Sequence, residues 1–108
     1  MSASLKAAIE SADRVYLSIA TLWEIAIKLN LGKLSLQANY ESIEASLEPA
    51  GIDLLPIAFA DTVQVLKLSL HHRDPFDRIL IAQALHHVLI IVSRDSAFAA
   101  YPVQRLWM

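Results

Sequence analysis

Residues 74–85 read DPFDRILIAQAL, and this stretch decides the fold. An Asp, a Pro and a second Asp, three residues after the first, lead into an apolar helix. Proline is tolerated in a helix's first turn because its missing N–H would have no partner there. Asp74 is therefore the expected N-cap, Pro75 the first helical residue and Asp77 the third. From Asp77 the same face continues through Ile81, Ala84 and Val88, so an acid heads a stripe predicted to be buried. A carboxylate there needs backbone N–H groups or a cation. Capping is the plain structural reading: the two acids resemble a capping box, and both charges suit the positive end of the helix dipole.

Outward from this helix, the composition sets limits. The 108 residues are read as one domain, 1–108, long enough for a core. A hydrophobic fraction of 56% predicts a sheet buried on both faces, a sizeable partner interface, or both. The longest apolar run, VLIIV at 88–92, falls far short of the ~18 residues that span a bilayer, so no membrane is expected. The opening MSASLKAAIESADR has no hydrophobic signal core, which points to a cytoplasmic protein. There is no cysteine, hence no disulfide, thiolate ligand or thiol nucleophile. A net charge of −2 excludes a global basic field, so any nucleic-acid contact must come from a local cluster.

Periodicity supplies the remaining elements. Leu5, Ala8, Ile9 and Ala12 predict an opening helix that ends near 11–13. VYLSI (15–19) reads as a strand and 21–31 as a helix stopped by Gly32. That helix is apolar on two sides, Leu22, Ile25, Ala26 and Leu29 on one and Trp23, Ile27 and Leu31 on the other. A helix over 39–48 turns Tyr40, Ile43 and Leu47 inward and stops at Pro49 and Gly51. IDLLPI (52–57) is a strand whose end or edge Pro56 marks. A helix over 59–70 places Phe59, Val63, Leu66 and Leu70 in register. After the 74–85 helix come a buried-type strand at 89–93, a short helix at 95–100 and an edge strand at 103–107. Strands alternating with helices predict an α/β fold, a parallel sheet with helices on both faces.

Three carboxylates fall at helix starts: Glu24 three residues after Thr21, Asp77 three after Asp74, and Asp95 directly after the strand LIIVS. Each has a capping reading, Thr21–Glu24 as a capping box and Asp95 as cap of the short helix. Glu24 and Asp95 also follow strands at their C-terminal ends, where parallel α/β sheets form their ligand crevice. Carboxylates brought together repel unless a cation joins them, and an all-oxygen donor set favours Mg²⁺ or Mn²⁺ over zinc. Arg73, Arg78 and Arg94 flank these acids, Lys28 lies one turn after Glu24, and Lys33 is nearby. They are read either as i,i+4 ion pairs or as a local phosphate-binding rim. His71, His72, His86 and His87 lack the i,i+4 spacing of helical zinc sites and have no cysteine to join them, so they read as loop and helix-surface residues. Trp23 and Trp107 are assigned to packing. With glycine only at 32 and 51, no Gly-rich phosphate loop exists, which argues against a small-ligand nucleotide module.

These residues resemble the PIN domain, and within it the VapC-type toxins of bacterial toxin–antitoxin pairs. The resemblance rests on VYLSIATLWEIAIKLNLGKLSL (15–36), LLPI (54–57), HHRDPFDRILIAQAL (71–85), LIIVSRD (89–95) and VQRLW (103–107), in matching order and spacing. It implies a PIN-like three-layer fold and a Mg²⁺- or Mn²⁺-dependent ribonuclease. Carried over by position, Glu24, Asp77 and Asp95 are catalytic metal-binding acids, Asp74 a secondary acid and Ser93 the hydroxyl beside the last acid. Lys28, Arg78 and Arg94 are then candidates to hold RNA phosphate. The resemblance also implies a VapB-type antitoxin, a homodimer, and a partner groove lined by the helix that carries Trp23. The family pattern opens with a strand ending in Asp, and Met1 falls after that point. The expectation is thus a fold lacking its first strand and first metal-binding Asp. Two functions follow, a metal-dependent endoribonuclease or an inactive remnant that only binds a partner.

Overall fold

A computed structural model describes residues 3–68, 74–92, 101 and 104–106. Along them run α1 (Ala3–Ser11), β1 (Val15–Ser18), α2 (Ile19–Asn30), a 3-10 turn (Tyr40–Ser42) continuing into α3 (Ile43–Leu47), β2 (Ile52–Leu55), α4 (Phe59–Leu66), α5 (Pro75–His87), β3 (Ile90–Val92) and β4 (Gln104–Leu106). The chain divides into two compact units, Ala12–Pro56 and Met1–Ser11 with Ile57–Met108. Among the described residues each unit holds one two-stranded parallel sheet. The fold is mixed α/β with parallel strands flanked by helices, as the alternation predicts. The expected helix at 95–100 lies outside the described residues.

In the Ala12–Pro56 unit, β1 and β2 pair with Val15 opposite Ile52 and Ser18 opposite Leu55. β2 stops two residues short of the predicted Ile57 because Pro56 has no N–H to give the ladder. α2 begins two residues before the predicted Thr21. Ser18, the last residue of β1, is still extended, and its Oγ accepts the Ala20 N–H at 3.0 Å, so it caps the helix. α2 ends as predicted at Gly32, whose φ of +72° only glycine adopts without strain. The Gly32 N–H donates to Leu29 O at 3.1 Å and the Lys33 N–H to Lys28 O at 2.9 Å, which together form a Schellman motif. Ala20, Leu22 and Leu47 are buried. The Tyr40 hydroxyl donates to the Leu22 carbonyl at 2.9 Å and so ties the 3-10 turn to α2. Trp23 (57% exposed), Ile27 and Leu31 (60%) face outward, on the side the sequence sets apart.

In the second unit, α5 packs against α4 and β3. Ile81, Ala82, Gln83 and Ala84 are all buried, so the middle of α5 is covered all round. Ile81 and Tyr101 form the core, with Leu68, Leu85 and Ile91 packed against them. Three expectations need correction here. α4 ends at Leu66 rather than Leu70, and its inward face is not the Phe59–Leu66 register. Phe59 (83% exposed) and Leu66 face outward while Asp61 is fully buried, its carboxylate turned back to accept the Ala58 N–H at 2.8 Å. Val88 does not extend the buried stripe either. It sits beyond the helix at φ 56°, ψ 56° and is 89% exposed, with its N–H and that of Leu89 both donated to Ala84 O. Finally, β3 is not covered on both faces, since Ile90 and Val92 are exposed and Ile91 alone is turned to the core.

Candidate functional site

α5 starts as its sequence dictates. Asp74 is extended, and its Oδ1 accepts the N–H groups of Phe76 at 2.9 Å and Asp77 at 3.3 Å. Asp74 thus satisfies two of the donors that every helix N-terminus leaves open. Asp77 stands in the first turn, where the helix dipole favours a carboxylate. Its residue is half-buried. The connection from α5 to β3 is only Val88 and Leu89, so the chain reverses sharply there.

Glu24 is placed differently from its capping reading. With Ser18 as N-cap, Thr21 lies within the first turn and Glu24 in the second, so no Thr21–Glu24 capping box forms. Glu24 instead meets Lys28 at 3.5 Å across one helical turn, with the Lys28 side chain 51% exposed. An exposed i,i+4 pair of this kind is worth only a few tenths of a kcal/mol. Its loss costs the fold little, which leaves both groups available to a ligand. Glu24 belongs to the Ala12–Pro56 unit, Asp77 and Asp74 to the other. Asp95, Ser93, Arg94, Arg73, His71, His72 and Trp107 lie outside the described residues.

Arg78 has a structural employment that the sequence did not signal. Its guanidinium donates to the Val65 carbonyl at 3.3 Å and to the Tyr101 hydroxyl at 3.5 Å, joining the end of α4 to the core tyrosine. A second group of donors also escaped the sequence reading. Asp61 Oδ2 is engaged by Ala58, but Oδ1 is buried without a hydrogen bond. His87 Nε2 stands 3.5 Å from it, and the His86 ring is edge-on to that of His87, centroids 4.6 Å apart. Donor atoms of Asp61, His86 and His87 all lie within 4.8 Å of one another. His86 and His87 are surface residues of a helix end, as expected. Their partner comes from another helix, which spacing within one helix does not reveal.

Parallel strands flanked by helices make this a mixed α/β fold consistent with a PIN-like architecture. The PIN domain family model matches residues 2–104, and the chain belongs to that family. Comparison with curated proteins and with solved structures returned no significant match. PIN domains generally depend on divalent metal and act on nucleic acid. No described helix is long and apolar enough to cross a membrane.

Proposed function

We propose that this chain is a VapC-like endoribonuclease whose Glu24, Asp77 and Asp95 hold one Mg²⁺ or Mn²⁺ ion. The observation that carries the reading is the family match over 2–104 together with the 74–77 helix start, where Asp74 serves as the cap and Asp77 follows in the first turn. The donor set fits the ion, since it is made of carboxylate oxygens in a chain without thiols. When bound, such an ion polarises a phosphoryl oxygen and lowers the pKa of an attacking water.

The chain's own groups set the geometry around that chemistry. Asp74 fixes the first turn of α5 and thereby the Asp77 carboxylate. Ser18 fixes the start of α2 and thereby the height of Glu24 above β1. Lys28, exposed beside Glu24, holds an RNA phosphate by charge, and Arg94 does the same next to Asp95. Ser93 orients the last acid through its hydroxyl. Arg78, employed between Val65 and Tyr101, contributes to phosphate binding through its charge rather than as a mobile clamp. A VapB-type antitoxin and a second copy of the chain are the proposed partners, in a cytoplasmic setting, with the Trp23–Ile27–Leu31 face of α2 as their contact.

The test pairs Mn²⁺ calorimetry with cleavage of single-stranded RNA, on the wild-type chain, Asp77→Asn and Glu24→Gln. The expected result is Mn²⁺ binding and Mn²⁺-dependent cleavage by the wild type, both lost in the variants. A folded wild-type chain that neither binds Mn²⁺ nor cuts RNA overturns the enzyme reading and leaves the partner-binding module.

A further inference from the structure

We propose that Asp61, His86 and His87 form a zinc site that ties the first turn of α4 to the last turn of α5. The argument begins with Asp61 Oδ1. It is a carboxylate oxygen in a fully buried residue, and it has no hydrogen bond. Its ion pair with His87 at 3.5 Å is too long to compensate a buried carboxylate oxygen fully, and a cation bridging the two would do so. The atoms it faces are imidazole nitrogens.

The distances suit zinc. Zn–N and Zn–O bonds of 2.0–2.2 Å at tetrahedral angles put neighbouring donors about 3.3–3.5 Å apart. Asp61 Oδ1 and His87 Nε2 already stand at 3.5 Å, too long for a good hydrogen bond but right for two donors sharing a metal. The third donor, from His86, lies within 4.8 Å of both, and both histidines are exposed, so rotation about the His86 side chain closes the difference without moving the backbone. Two imidazoles and one carboxylate are a borderline donor set that suits zinc, unlike the all-carboxylate set proposed at Glu24, Asp77 and Asp95. Three protein ligands leave a fourth position to water.

The site uses none of the residues assigned to RNA cleavage, so its test is separate from that of the ribonuclease. Zinc titration by calorimetry, and the absorption of cobalt(II) as a four-coordinate probe, would be recorded on the wild-type chain, His86→Gln, His87→Gln, Asp61→Asn and Asp77→Asn. The expected outcome is a zinc site weakened at least tenfold in each of the first three variants and still present in Asp77→Asn, where the proposed acid site is disabled. The wild-type thermal midpoint should rise with zinc and that of His87→Gln should not. The two histidine variants alter exposed side chains, so they carry the test even where Asp61→Asn fails to fold. Zinc affinity unchanged in folded His87→Gln, loss in Asp77→Asn instead, or no zinc binding by the wild type would each overturn the site. The last result would mean that Asp61 and His87 form only an ion pair.

Discussion

At the scale of single residues, two aspartates three positions apart divide the labour of one helix start. Asp74 accepts two backbone N–H groups, so Asp74→Ala should cost about 1 kcal/mol of stability, measured by urea unfolding. Asp77→Asn should leave stability closer to wild type while removing Mn²⁺ binding, a split that calorimetry and unfolding together would detect. Had capping been the sole purpose of both acids, the two substitutions would act alike. This helix start was fully legible because proline and an N-cap acid leave few alternatives in local sequence. Asp61 was not legible. Its importance comes from burial and from histidines on another helix, and nothing in residues 57–63 announces either.

At the scale of elements, errors arose where one residue serves two structures. Thr21 has the spacing of a cap after the strand, whereas Ser18 ends β1 and caps α2 at once. In α4, spacing alone puts Phe59 and Leu66 on one face, but packing against α5 buries Asp61 and leaves those two outside. The end of α5 carries a further consequence. Val88 is a β-branched residue in the left-handed region, a conformation that costs an L-residue roughly 1–2 kcal/mol. Its side chain is almost wholly exposed, so glycine there forfeits little packing. After the entropy that glycine adds to the unfolded chain, Val88→Gly should raise stability by about 0.5–1 kcal/mol, seen as a higher thermal midpoint. Ile81→Ala should do the opposite, since it empties the centre of the Ile81–Tyr101 core at a cost of about 2–5 kcal/mol.

At the scale of the whole molecule, the excess of apolar residues predicts a doubly covered sheet, a partner face, or both. The exposed Ile90 and Val92 count against the first, and the exposed Trp23, Ile27 and Leu31 on one side of α2 favour the second. Introducing charge there through Ile27→Glu with Leu31→Glu should abolish the proposed self-association in sedimentation equilibrium while circular dichroism stays native. Unchanged association would move the interface elsewhere, with Phe59 and Leu66 the next surface to test. Fold class was legible at this scale because alternating strands and helices admit few architectures. Whether acids from separate elements share one ion is a tertiary question, and sequence order supplies only the candidates for it.

The double use of Ser18 also governs how this chain can vary. A residue that closes a strand and opens a helix leaves the junction no slack. One residue inserted or deleted after it would turn everything downstream in α2 by about 100° and shift it about 1.5 Å along the axis. Glu24 is thus geared to the register of β1 as a tooth is to its wheel. Changes of length should be tolerated in the irregular stretch 33–39, far from that gear, and be purged between positions 18 and 24.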